Sequence, residues 1–384
     1  GAFYNLGVNI IQGLGAGDAG DVLMARLLEG RNDVLMGGVR SFLFTAATAG
    51  LIIAYRRGAL GAARVGALLA AVVAVDLWTI ERQYWLFSPP ARELYAADPA
   101  TEHLRRHATD GRVLVLAQTG EGLAERDPYF GGDAAGRGTG LMVHGIRSIN
   151  GYHGNQLGRY DRLVYARTEQ GPITLSPTFW RHENVRYLYT NAAIAQPEFK
   201  RLLGPVRNSA GSTVYLYELP GRNPPAWVAS TIVEAPDTLV VEAVLDPRFD
   251  PARLAVVSDT APVEASRPTG AVAPATIEAA SVTRPTPSRI EVALSGPAPA
   301  GSALVVSENY FPGWEATVDG RAARTVRANY NLIGVPLTAG ARRVSLVFHD
   351  PAYGRGKTLT LVALALSLAA IVAGVLVGRR SARG

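Results

Sequence analysis

The clearest pattern along the chain is a run from Thr358 to Val377 that holds no charged residue and is followed at once by Arg379, Arg380 and Arg383. As a helix rising about 1.5 Å per residue it spans roughly 30 Å, the thickness of a bilayer's hydrocarbon core. Two further apolar stretches lie near the other end: Ser41 to Tyr55, followed by Arg56 and Arg57, and Val65 to Ile80, preceded by Arg64. Their basic flanks fall in one short connection. Because short basic flanks stay cytoplasmic, the first helix is expected to run inward, the second outward and the last inward again. The long stretch between Glu81 and Thr358 is thereby expected outside. Trp78, Tyr84 and Trp85 stand where the second helix leaves the bilayer, and Tyr353 where the last enters, as interfacial aromatic residues do.

Between the spans the periodicity changes twice. Pro89 and Pro90 stop the second helix, and Asp98-Pro99 then reads as the N-cap and first position of a helix reaching about Ala108, before Gly111. Arg112 to Ala117 predicts a buried strand, Tyr160 to Thr168 a short helix, and Val185 to Thr190 and Thr213 to Glu218 two more strands. Past the linker Pro220 to Pro225, short β-branched runs recur between Pro and Gly: Trp227 to Val233, Thr238 to Leu245, Leu254 to Ser258, Arg289 to Leu294 and Ala303 to Ser307. Such spacing predicts a β-sandwich, with Ala261 to Pro274 as a low-complexity loop. Trp314, Ala316 and Val318 alternate with Glu315 and Thr317 ahead of Asp319-Gly320, the dipeptide a type I′ hairpin prefers, and Val344 to Phe348 closes the set.

The expected fold class is therefore an α+β membrane protein: transmembrane helices plus an external α/β-like unit and a β-sandwich. Its expected segments are a membrane-proximal stretch (1–38), a hairpin of two transmembrane helices (39–82), the α/β domain (83–221), the sandwich (222–352), the closing helix (353–378) and a cytoplasmic tail (379–384). Composition changes this picture little. A hydrophobic share of 48% mixes lipid-facing and water-facing parts. The net charge of +6 comes partly from arginines that flank spans, and no basic cluster is interleaved with stacking aromatics, which argues against nucleic acid as a partner. With no cysteine, disulfides and thiolate metal sites are excluded. Gly1 is not an initiator Met and no export signal follows it, so the chain is expected to be the carboxy-terminal part of a larger polytopic protein.

Several strings resemble one family. SENYFPGWEATVDG (Ser307 to Gly320), RANYNLIGVPLTAG (Arg327 to Gly340), the closing strand and the final span are similar to the YfhO family of bacterial membrane proteins. Further matches are GIRSINGYH (Gly145 to His153) with Arg159-Tyr160, NVRYLYT (Asn184 to Thr190), and DLW (Asp76 to Trp78) on the second span. The resemblance implies a type C glycosyltransferase-like protein that moves a sugar from a polyprenyl-phosphate carrier to a cell-envelope glycan acceptor, with the lipid bilayer as its other partner. In such enzymes the acidic catalytic residue lies in an external loop near the amino terminus. No catalytic residue is therefore carried over to this chain, and no cofactor or metal is expected.

Candidate ligand-binding residues are Asn150, Tyr152 and His153, with Arg159 and Tyr160 shortly after, because they join aromatic faces to hydrogen-bonding groups in a Gly-bounded loop. The same glycines also suit a tight turn whose aromatics pack on the sheet. Trp314, with Tyr310 and Phe311 around Pro312-Gly313, offers an aromatic platform for a glycan, or else core at a β-turn. Asp76 is ionisable within a span, where burial is costly; Arg40 at the same depth is its expected ion-pair partner. The Gly15, Gly17 and Gly20 spacing lacks a βαβ setting for a dinucleotide, His103 and His107 lack the Glu of a zincin, and Glu121, Glu125, Asp127 and Asp133 lack the spacing of a calcium loop.

Overall fold

The computed structural model describes residues 31–381 apart from 86, 88, 118–126, 131–137, 150, 152–155, 169–170, 259–264, 267 and 269. The chain divides into two compact units, residues 1–89 and 90–384.

In the first unit, α1 (Arg31–Arg56) and α2 (Ala62–Glu81) are both long and apolar enough to cross a membrane. Their outward side chains, Phe42, Leu43 and Leu77 among them, are exposed, which suits a solvent of lipid tails. The expected pair forms: the Arg40 guanidinium binds the Asp76 carboxylate, donates to the Asp76 carbonyl at 2.6 Å, and reaches Thr79 Oγ1 through Nε at 2.9 Å. Arg40 also lies over the Phe44 ring at 5.3 Å. Nε and Nη2 of this side chain thus have acceptors on α2, and the counter-charge beside them is the condition for keeping a charge in an apolar setting.

In the second unit, Asp98 caps a helix α3 (Pro99–Arg106) with a capping box: its carboxylate accepts from the Ala100 and Thr101 N–H groups, both at 2.9 Å, and Thr101 Oγ1 accepts from the Asp98 N–H. A four-stranded sheet follows, built of β1 (Arg112–Leu116), β2 (Val185–Thr190), β3 (Lys200–Arg207) and β4 (Thr213–Glu218) in the order β1-β2-β4-β3. β1 and β2 run parallel and the rest antiparallel. β3 was not legible, because Gly204-Pro205 interrupts it; the register slips there, at an edge where a proline is tolerated. Short helices α4 (Gly158–Val164) and α5 (Pro177–His182) lie between β1 and β2. Both faces of the sheet are covered. α3, Tyr129, Phe130 and Leu141 pack on one, and Leu163, Phe179 and Trp180 on the other.

The remaining strands are β5 (Ala226–Ala229), β6 (Thr231–Ala235), β7 (Leu254–Ser258), β8 (Ala279–Thr286), β9 (Arg289–Leu294), β10 (Ala303–Asn309), β11 (Trp314–Val318), β12 (Arg321–Ala323), β13 (Val326–Ala328), β14 (Leu332–Pro336) and β15 (Arg343–Phe348). They form a five-stranded sheet, β8-β9-β15-β11-β12, and a six-stranded sheet, β5-β10-β14-β13-β7-β6. Ile290, Val292, Trp314, Ala316, Val344 and Leu346 of the first interdigitate with Val228, Leu304, Val306, Ile333 and Val335 of the second, as two sheets of a sandwich do. Only Ser230 separates β5 from β6, which occupy opposite edges of the six-stranded sheet, so those edges meet and the sheet curls toward a barrel around Trp227, Ile232, Val257, Val305 and Leu332. The predicted hairpin is present, with Asp319 and Gly320 at φ 48° and 80°, the two positive values of a type I′ turn.

Three expectations are corrected. The helix expected over Tyr160 to Thr168 is α4, which ends at Val164, and Arg167–Thr168 instead pair antiparallel with Gly171–Pro172. Trp227 to Val233 is not one strand but two that leave Ser230 in different directions. Thr238 to Leu245 is not a strand but a helix, α6 (Asp237–Leu245). β6 and β7 are parallel neighbours, which a hairpin cannot join, so the link must cross over as a helix. Its valines are β-branched, yet Val240 and Val244 stand four apart and are the buried ones, a helical face rather than an alternating strand. They enter the same core as Leu114, Phe179 and Tyr217, so one apolar cluster draws on both the four-stranded sheet and the curled sheet. The closing helix α7 (Pro351–Ser381) begins earlier than the apolar run and is again long and apolar enough to cross a membrane.

Replacing Asp76 alone by Leu leaves the Arg40 guanidinium without its counter-charge and should destabilise α1 against α2 by about 2–3 kcal/mol. Unfolding of the reconstituted protein should show the Arg40→Leu/Asp76→Leu double variant recovering most of that loss; a double variant as damaged as the single would overturn the pairing.

Candidate functional site: an arginine-rich junction

Where the four-stranded sheet meets the β-sheets, charged side chains converge that the apolar pattern alone does not announce. Arg112 opens β1, with Val113 to Val115 buried behind it, and its own side chain is only 7% exposed. Its Nη1 donates to the Glu183 carbonyl at 2.7 Å and to Ser307 Oγ at 3.0 Å; its Nη2 donates to the Ser307 carbonyl at 2.8 Å and lies 3.2 Å from Glu308 Oε1. The other Glu308 oxygen faces Arg147 at 3.0 Å and Arg284 at 3.7 Å. Glu183 lies 3.7 Å from Arg112 and accepts from Asn331 Nδ2 at 2.9 Å; Asn331 Oδ1 meets His182 Nε2 at 2.9 Å. Three guanidinium groups thus share two carboxylates.

The balance of burial and charge differs from group to group. Burial works to raise the Glu308 carboxyl, but Arg112, Arg147 and Arg284 outweigh it and hold the acid below its usual range. For Arg112, burial is more than offset by Glu308 and Glu183, and its charge is reinforced. Arg147 is pushed down to about 9, by burial first and by Arg112 second. Burial likewise lowers Arg284, whose Nε and Nη2 are buried without a hydrogen-bond partner.

Of the residues singled out in the sequence, Tyr160 reaches this junction. Its hydroxyl donates to the Ile149 carbonyl at 2.9 Å, and burial, with the nearby Glu183 second, pushes its ionisation far up. Its neighbour Arg159 turns elsewhere, to Asp237 Oδ2 at 2.5 Å and over the Tyr330 ring at 5.5 Å. Asp237 also accepts from Arg327 at 2.7 Å, and Arg327 in turn donates to the Tyr330 carbonyl and Ser258 Oγ. Against the opposing pull of burial, these two arginines hold the Asp237 carboxyl below its ordinary value. Asn150, Tyr152 and His153 lie outside the described residues, as do Gly15, Gly17, Gly20, Glu121, Glu125 and Asp133.

Trp314 belongs to neither cluster. It is 9% exposed, packed in the sandwich core with its ring 5.4 Å from that of Phe348, while Phe311 beside it is 43% exposed. His103 and His107 stack at 4.4 Å, and Asp127 accepts from the Tyr129 N–H and Asn208 Nδ2, both at 2.7 Å. Among the described residues no group of three or more His, Asp or Glu gathers for a metal ion.

Sequence reasoning missed Arg112, Glu183, Glu308, Arg284 and Asp237. The available signal was an arginine at the head of an otherwise apolar strand, which must find a counter-charge once buried. The strings that carry the family resemblance do meet here: Arg147 and Tyr160, Asn184, Ser307 and Glu308, and Arg327 to Asn331.

Glu308→Gln should cost about 2 kcal/mol or more, because it leaves three guanidinium groups short of a shared counter-ion. Since the folded carboxyl titrates below its unfolded value, its contribution is complete above about pH 4–5 and is lost as pH falls through the lower folded value. Denaturant unfolding should therefore show the gap between wild type and variant at pH 7 narrowing in acid; a gap independent of pH would contradict the assignment.

Residues 275–360 match the family described as bacterial membrane protein YfhO. The match runs through β8 to β15 and into the first turns of α7. Two cryo-EM structures of arabinofuranosyltransferase AftD from Mycobacteria, one of them a mutant, are similar at 13% identity and a TM-score of 0.24. Those alignments cover 76% of this chain but only 34% and 32% of theirs, and at that score they carry no argument about the fold. The chain spans about a third of the length of those proteins. No curated protein matches it. Over residues 275–360 this chain is thus a match to the YfhO family of bacterial membrane proteins, the family that its motifs resemble.

Proposed function

We propose that this chain is the membrane-anchoring and outward-facing part of a membrane glycosyltransferase that moves a sugar from a polyprenyl-phosphate carrier to a cell-envelope glycan acceptor. The observation that carries the reading is the YfhO match across the whole five-stranded sheet, three strands of the six-stranded sheet and the start of a helix able to cross a membrane. The folded body between α2 and α7 lies outside the cytoplasm in this reading, as the basic flanks of the helices imply.

The part of the arginine-rich junction in this reading is to hold rather than to move protons. Transfer to a hydroxyl needs an acid whose carboxylate is free to accept a proton at working pH. Glu308 is instead claimed by three arginines and kept ionised, and Asp237 by two. Such clamped acids fix the geometry of a binding body. The same observation favours a second reading, a non-catalytic membrane-anchored module that binds an envelope glycan or protein.

Membranes carrying the full-length protein, supplied with labelled polyprenyl-phosphate sugars, should transfer label to envelope fractions, and removal of residues 226–350 should cut transfer at least about tenfold. No transfer from any carrier tested, by a protein that is inserted and folded, would leave the binding module as the reading. Protease added to intact spheroplasts should cut between Glu81 and Lys357; cleavage only after lysis would overturn the orientation.

A further inference from the structure

A groove of about 540 Å3 runs along the outward face of β15, β11 and β12. Strand register explains its lining. Trp314, Ala316 and Val318 turn into the sandwich, so Glu315 and Thr317 face outward beside Val347 and Ser345 of β15, while Ala322 of β12 stands next to Thr317. Arg324, Thr325 and His349 complete the polar rim. Part of this lining is tied down: Ser345 Oγ donates to Glu291 at 3.0 Å, and Thr325 Oγ1 to the Trp314 carbonyl at 2.7 Å. Glu315 is exposed, and among the described residues no hydrogen bond or ion pair engages its carboxylate, the Thr317 hydroxyl or the His349 ring.

The groove also has a defined place relative to the closing helix. The His349 N–H donates to the Gly313 carbonyl at 2.8 Å, and a Cβ at Gly313 would come 2.3 Å from the His349 carbonyl oxygen, so glycine lets the head of β11 clasp the end of β15. α7 starts two residues beyond His349, at Pro351. Whatever fills the groove therefore sits beside the entry to a helix able to cross a membrane.

We infer that this groove binds a sugar unit of a membrane-proximal glycan. Vicinal hydroxyls can donate to the Glu315 carboxylate and accept from Thr317 and His349, while the C–H face of the ring lies on Val347 and Ala322. An inorganic anion is opposed by Glu315, and an acyl chain by the polar rim. The volume lies within the range of about 300–1,000 Å3 that small-ligand sites occupy. The inference deepens the proposed glycan-handling function, on which it rests for the sugar's place in the reaction, but the binding itself is measurable without any transfer.

Calorimetric titration of the full chain, held in a detergent without a sugar headgroup, against cellobiose, chitobiose and mannobiose tests it, with inorganic phosphate as the anionic comparison. At least one disaccharide should bind with a Kd below about 1 mM. Glu315→Gln should weaken it about tenfold, by loss of charge-assisted hydrogen bonds, and Ala322→Tyr, which fills the groove from an exposed position, should abolish it. Should Glu315→Gln fail to fold, Thr317→Ala and Ala322→Tyr carry the test. No binding of any disaccharide up to about 10 mM, affinity unchanged in all of these variants, or binding of phosphate alone would overturn the inference. Disaccharide binding by a protein that transfers nothing would remove the transferase reading and leave this one standing; transfer without disaccharide binding would do the reverse.

Discussion

The carboxylate of Glu308 is the point that the second unit is built around. It draws in Arg112 from the first strand of the four-stranded sheet, Arg147 from the loop that follows, and Arg284 from an edge strand of the sandwich. None of these guanidinium groups can be left alone in a half-dry setting without a large desolvation cost, so each fixes the position of the element that carries it. Arg112 does this twice over, since its other donors are spent on the backbone of Glu183 and Ser307. Apolar contact across the junction is non-directional and tolerates sliding. The charged contacts do not, and they set the register in which one sheet meets the other.

Backbone conformation supports the same junction. Asn184, Asn329 and Tyr330 all have positive φ without being glycine, at 53°, 47° and 79°. An aromatic residue in that region is strained and persists only where its surroundings dictate it. Asn329 is fixed by exchanging hydrogen bonds with Val256, and Tyr330 by the Arg327 contact to its carbonyl and the Arg159 guanidinium over its ring. The strings that resemble the YfhO family are in this sense descriptions of a shape. They encode turns and buried pairs whose partners lie far away in the chain, 161 residues for Arg147 and Glu308.

That distance explains what the sequence did and did not disclose. Local features were legible: the apolar runs of α1, α2 and α7, the Asp98 cap, and the Asp319-Gly320 hairpin each depend on neighbours within a few residues. The strands β2, β4, β7 and β9 were legible to the residue for the same reason. α6 was misread because its valines carry a local preference for strand, whereas the parallel pairing of β6 and β7 demands a helix. β3 was hidden by a glycine and a proline that an edge strand can accommodate. Of the binding residues singled out, Tyr160 meets the junction and Arg159 its neighbouring cluster, but Arg112, Glu183 and Glu308 become meaningful only once long-range packing assembles them. The Arg40–Asp76 pair was legible because two apolar helices in a hairpin leave few places for two charges to go.

β15 lies in the middle of its sheet, bonded on one side to β9 and on the other to β11, and runs into α7 after only His349 and Asp350. A pull on the anchor therefore loads two ladders of hydrogen bonds in shear, all at once, instead of peeling them apart one by one. The clasp between Gly313 and His349 adds a stop at the point of entry. Tension along the chain at the anchor is in this way passed to the centre of the sandwich's sheet and not to an edge.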